Sequence, residues 1–108
     1  MQVRIEGPVL LLMGPIGLFF ARFSRYLQGC GIPVTKVCFP LREFGFKSEI
    51  CVPFRQPMQD WRPFVRQLLQ ERGIRHIFMY GDFIIPHRIA IEEAHALGIE
   101  AWVFELGY

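Results

Sequence analysis

The chain has 108 residues, 52% hydrophobic and 20% charged, with a formal net charge of +2. This length suits one domain around one core, and the composition excludes a disordered chain. A charge this small, with the arginines spread along the sequence, excludes the clustered basic face of a nucleic-acid binder.

The first readable element is Val9 to Met13 (VLLLM), a continuous apolar run between Pro8 and Gly14. Such runs suit strands buried on both faces of a parallel sheet. The uncharged stretch around it, Gly7 to Ala21, is shorter than the roughly 20 residues a spanning helix needs. Gly14, Pro15 and Gly17 also break it, and no small-residue cleavage site of a secretory leader follows. Leu18 to Gln28 reads as a helix, with Phe19, Phe20, Phe23 and Leu27 at helical spacing and Gly29 and Gly31 as its stop. Val34 to Phe39 (VTKVCF) is a second strand, rich in β-branched residues.

Pro40 to Gln59 is a long connection of the kind that is usually functional or mobile. Within it Ile50, Val52 and Phe54 alternate with Cys51 and Pro53, as in a short extended piece. Asp60 to Arg72 is a helix: Asp60 is placed to cap it, Pro63 sits in the first turn, and Trp61, Phe64, Val65, Leu68 and Leu69 share one stripe. His76 to Tyr80 is a third strand. Pro86 starts a third helix that runs to Leu97, with Ala90, Ile91, Ala94 and Leu97 inward and Gly98 closing it. Ala101 to Glu105 is a fourth strand.

Strands alternating with helices predict an α/β, Rossmann-like three-layer domain over residues 1–108. Its four-stranded parallel sheet is expected in the order 2-1-3-4, with helices on both faces. Ligands of such sheets bind outside the carboxyl ends of the strands where the order reverses, here between the first and third strands. Three polar breaks fall on that rim: Gly14-Pro15-Ile16-Gly17, Gly81-Asp82, and Glu105 with Gly107 and Tyr108 beyond it. His87 and Arg88 follow in the first turn of the third helix, where free N–H groups favour anions. His87 is expected to lie off the inward apolar stripe.

An acid, an imidazole and a second carboxylate on one rim are raw material for acid–base chemistry. The candidate catalytic residues are therefore Asp82, His87 and Glu105. Arg88 can grip a carboxylate or phosphate in two-pronged fashion, and Gly14, Pro15, Gly17 and Tyr108 complete the substrate side. Each residue also has a plainer reading. GPIG lacks both the GxGxxG fingerprint and the P-loop lysine and is a tight strand-to-helix turn in most proteins that carry it. Asp82 can cap the third helix, and His87 and Arg88 can be surface residues. His76 and His95 read as structural. Cys30, Cys38 and Cys51 are odd in number and lack metal-ligand spacing, so reduced thiols and no metal site are expected.

At these residues the chain resembles the capsule polysaccharide biosynthesis and export family of the KpsS/LipB and KpsC type. The resemblance rests on an early GPxGxFF segment (Gly14 to Phe20), a GD-x-x-x-x-H-R segment (Gly81, Asp82, His87, Arg88) and an FEEGY-like segment (Phe104 to Tyr108). The helix region PMQDWRPFVRQLLQERGI before the third strand is also similar. Two departures stand out: Phe83-Ile84-Ile85-Pro86 replaces a stretch that carries a basic residue in the family, and Leu106 replaces the second glutamate. The resemblance implies the amino-terminal part of a two-domain glycosyltransferase that moves Kdo (3-deoxy-octulosonic acid) from CMP-Kdo to a lipid-linked saccharide acceptor. No cofactor beyond that donor substrate is implied. The expected setting is the cytoplasm, at the cytoplasmic face of the inner membrane beside the capsule export machinery. The alternative is a non-catalytic Rossmann-like binding module with a degraded transferase motif.

Overall fold

The computed structural model describes residues 5–15, 18–39 and 49–105. In chain order the elements are β1 (Val9–Leu11), α1 (Phe19–Gly29), β2 (Val34–Cys38), β3 (Cys51–Pro53), α2 (Trp61–Glu71), β4 (His76–Tyr80), α3 (Ile85–Ala96) and β5 (Glu100–Phe104). The strands form one sheet in the order β3-β2-β1-β4-β5, and every neighbouring pair is parallel. The expected four-strand order is contained in this sheet. The extended piece expected in the long connection is a fifth strand, β3, which pairs with β2 at the edge. Residues 40–48 of that connection lie outside the described residues.

Strand alternation sorts the core onto two faces. Leu10, Leu12, Val37, Ile77 and Met79 pack with Trp61, Val65, Leu68 and Leu69 of α2 and Ala90 and Ala94 of α3. Val9, Leu11, Val34 and Phe78 pack with Phe20 and Leu27 of α1. The many phenylalanines divide in the same way. Phe23 of α1 meets Phe78 edge-on at 5.1 Å and Phe104 at 6.0 Å. On the other face Phe54 meets Trp61 at 5.0 Å and Phe64 at 4.9 Å. The Phe23–Phe78, Phe23–Phe104 and Phe54–Trp61 pairs are edge-to-face, a geometry that adds to the stabilisation from buried area.

Three local expectations are corrected. Asp60 ends a 3-10 turn, Met58–Asp60, that runs straight into α2. Its backbone is helical, and its carboxylate makes no capping bond, because a cap needs an extended residue there. Asp82 does not cap α3 either: the cap position is Ile84, without a side-chain bond. Leu97 is exposed at the end of α3, while His87 and Glu93 are buried on its inner side.

Glu93 is the polar clamp between the two helices of one face. Its Oε2 accepts from Nη1 of Arg62 at 2.7 Å, and its Oε1 accepts from Nε of Arg66 at 2.6 Å. Hydrogen bonding by Arg62, reinforced by Arg66, holds the Glu93 carboxyl below the usual carboxylate range against the opposing effect of burial. Glu92 meets the same Arg62 at 2.8 Å, but its side chain is 61% exposed. A carboxyl whose pKa is lowered by folding contributes stability above its unfolded pKa and loses it as pH falls through the folded value. Thermal unfolding near neutral pH should therefore show Glu93→Ala lowering Tm by several degrees and Glu92→Ala shifting it little. Equal shifts would mean that the clamp does not depend on the buried carboxylate.

Candidate functional site

The chain leaves β1 towards β2 on one side and leaves β4 towards β5 on the other. The switch in direction therefore lies between the carboxyl ends of β1 and β4. The ladder there continues beyond β1: Leu12 N–H donates to Phe78 O and Tyr80 N–H to Met13 O, each at 2.9 Å. Gly81 then turns the chain with φ of 74°, a backbone that a residue with Cβ rarely adopts. Its N–H donates to Phe104 O at 2.8 Å, tying the end of β4 to the end of β5.

His87 fills this switch point. Its side chain is 1% exposed. Met13 N–H donates to Nε2 at 3.2 Å, and Nδ1 lies 2.7 Å from Gly81 O. Because Nε2 accepts, Nδ1 must carry the proton and donate to the carbonyl. The ring is thus a neutral staple between the two strand ends. Burial, with the Lys36 charge adding to it, pushes its pKa below the ordinary histidine value, opposed by hydrogen bonding to the Gly81 and Tyr80 carbonyls and by the Asp82 charge. The expectation that His87 faces away from the core is corrected. With both nitrogens bonded to backbone, the ring presents no proton to a ligand in this conformation.

Asp82 and Arg88 are exposed above the staple. With Phe83, Ile91 and Glu92 they line an open hollow of about 510 Å³. Glu105 follows β5 on the same rim, exposed, but it does not line that hollow. Gly14 and Pro15 follow β1 at the same end of the sheet. A Cβ on Gly14 would come within 2.6 Å of the buried Phe20 ring, so this glycine is needed where the loop packs on α1. Gly17 and Tyr108, with Ile16, Leu106 and Gly107, lie outside the described residues.

Lys36 is a group that reading the sequence for motifs passed over. It stands in β2 with no exposed surface, and its Nζ donates to Val37 O at 2.6 Å. Its charge reaches the His87 ring. A lysine inside an otherwise apolar β-branched strand was the available signal. Among the described residues no group of three or more His, Cys, Asp and Glu side chains could hold a metal ion. No described helix is long and apolar enough to cross a membrane.

A histidine whose pKa is lowered by folding contributes stability above its unfolded pKa, 6.5, and loses it as pH falls below that value. Urea unfolding at about pH 7.5 and about pH 5 should show a loss in the parent. That loss should shrink in His87→Gln, which keeps a donor and an acceptor. His87→Ala should cost roughly 2–4 kcal/mol at neutral pH, from the cavity and the two stranded backbone groups. A parent and a His87→Gln variant with the same pH dependence would show that the ring is not the titrating staple.

No family model matches the chain. The capsule polysaccharide modification protein LipB of Neisseria meningitidis, from serogroups A and B alike, is 29% identical over 103 residues. That match covers 93% of this chain and 25% of LipB. The capsule polysaccharide export protein KpsS of Escherichia coli is 29% identical over 100 residues, covering 92% of this chain and 26% of KpsS. Among solved structures, the C-terminal domain of a Pyrococcus furiosus hydrogenase matches with a TM-score of 0.68 at 18% identity, over 94% of each chain. UDP-glucose 4-epimerase of Thermotoga maritima matches with 0.65 at 14%, over 90% of this chain and 37% of the epimerase. Precorrin-6A reductase CobK matches with 0.63 at 16%, over 94% of this chain and 39% of the reductase. These likenesses establish the Rossmann-like fold. In sequence the chain is similar, along nearly all of its length, to about a quarter of capsule polysaccharide modification and export proteins.

Proposed function

We propose that this domain forms one wall of the active site of a capsule polysaccharide glycosyltransferase that moves Kdo from CMP-Kdo to a lipid-linked saccharide acceptor. The observation that carries the proposal is the rim at the switch point: Asp82 and Arg88 share one hollow there, in a chain similar to capsule proteins. A donor of this type carries a sugar carboxylate and leaves as a cytidine phosphate. Arg88 is suited to neutralise either anion. Asp82 or Glu105, exposed on the same rim, is suited to take the proton of the acceptor hydroxyl. Phe83 and Ile85, 74% and 61% exposed, form an apolar lip compatible with a lipid-linked acceptor. His87 enters the proposal as the residue that holds the rim together. The setting proposed is the cytoplasmic face of the inner membrane, beside the capsule export machinery.

A second reading, a binding module without catalysis, is favoured by two observations. Both His87 nitrogens are consumed by backbone, and Phe83 to Pro86 bring no basic residue to the rim.

The test uses the complete protein. Asp82→Asn and Glu105→Gln should leave Tm nearly unchanged, because both residues are exposed. Whichever acts as acid or base should lower transfer from CMP-Kdo by roughly 10²–10⁴-fold. Arg88→Ala should act mainly on KM for the donor if it only binds. His95→Ala, at an exposed position of α3, is the control. A triple variant Asp82→Asn, Arg88→Ala, Glu105→Gln that transfers Kdo at the parent rate would overturn the catalytic reading and select the binding module.

A further inference from the structure

The thiols of Cys38 and Cys51 face each other at 2.8 Å between Sγ atoms. The pair lies on neighbouring parallel strands: Cys51 stands opposite Lys36, and Cys38 opposite Pro53. The two cysteines are therefore on the same face of the sheet, one diagonal step apart, and lean towards each other across it. Both are half-buried, whereas Cys30 is exposed just past the end of α1. β2 is held by strands on both sides, while β3 is a three-residue edge strand with one neighbour. The edge is the part free to adjust, and bonding distance requires the sulfurs to approach by less than about 1 Å.

We propose that Cys38 and Cys51 are a redox-active dithiol that closes reversibly to an intramolecular disulfide, stapling β3 to β2. The oxidant class is a low-molecular-weight disulfide such as oxidised glutathione. One protein thiolate attacks it, forming a mixed disulfide and releasing one glutathione thiolate. The second protein thiolate attacks the protein sulfur of that mixed disulfide and releases the other glutathione. The two protein thiols give up two protons and two electrons, and the oxidant leaves as two glutathione thiols.

The bond would join the two ends of the connection between β2 and β3 and fix the edge of the sheet. It would also anchor the start of a packed series of contacts. Phe54 follows β3 directly and meets Trp61 at 5.0 Å. The Trp61 indole N–H donates to Pro86 O at 2.9 Å, in the turn that carries His87. The proposal does not depend on the transferase reading, since it concerns the thiols alone.

The experiment is oxidation of the unsubstituted full chain with glutathione disulfide, followed by alkylation under denaturing conditions, intact mass measurement and peptide mapping without reduction. The expected result is a monomer carrying one Cys38–Cys51 link, with Cys30 alkylated or glutathionylated. Tm should rise by several degrees and return on treatment with dithiothreitol. Cys30→Ser should form the same link, and Cys38→Ser and Cys51→Ser should each abolish the Tm shift. Stable glutathione adducts on both Cys38 and Cys51, pairing of either with Cys30, a covalent dimer, or retention of all three thiols would each overturn the proposal. The mapping is done on the parent chain, so a serine variant that folds poorly does not affect the decision.

Discussion

The ring of one histidine sits where the sheet changes direction, and the rim above it depends on that placement. At the carboxyl ends of β1 and β4, each strand leaves one backbone group that the ladder between them does not pair. Met13 offers an N–H and Gly81 a carbonyl. Buried backbone groups of this kind are costly unless paired. The neutral imidazole of His87 pairs both, with one nitrogen accepting at 3.2 Å and the other donating at 2.7 Å. Because His87 belongs to the first turn of α3, the same ring also fixes where that helix starts. The Trp61 bond to Pro86 O fixes that turn from the other side. Asp82 and Arg88 flank a staple, so their positions on the rim follow from it.

The staple also constrains any ligand. In an open α/β sheet the crevice at the switch point is where a ligand would ordinarily reach between the strands. Here the imidazole closes the floor of that crevice, and Lys36, fully buried in β2, adds a positive charge near it. On the proposed reading the ligand lies over the rim, against Asp82, Arg88 and the loop of Phe83, and not between the strands. The exposed Arg88 biases that rim towards an anionic ligand.

Much of this architecture was legible in the sequence because periodicity and punctuation report it directly. VLLLM, VTKVCF and HIFMY are strands in the order expected, and three amphipathic runs are helices within a residue or two of their predicted ends. What was not legible depended on tertiary contact. β3 has three residues, too few to carry a period, and it is a strand only because β2 offers it an edge. Asp60 has the identity of a cap, but the preceding 3-10 turn gives it helical backbone. His87 is instructive because its spacing was informative: residues 87, 90 and 94 fall on one inward stripe. A polar residue type drew the reading outward, and only the two backbone partners explain why an imidazole is tolerated inside. Lys36 was hidden in the same way within a strand that otherwise read as buried.

The open hollow sets a condition on the proposed chemistry. Charges aimed at a developing anion act strongly when water is excluded and weakly when it is not. Asp82, Arg88 and Glu105 are all exposed, and the hollow that Asp82 and Arg88 border is open, lined by the loop and first turns of α3. A rim of this kind can select an anion by charge and shape, but it does not desolvate one. Group transfer from an activated sugar at this rim therefore requires a second surface to close over Asp82 and Arg88. The curated relatives are about four times as long as the part that matches this chain. The apolar lip of Phe83 and Ile85 is consistent with that arrangement: exposed as it is, it contributes most when something packs against it and excludes water from the charges behind it.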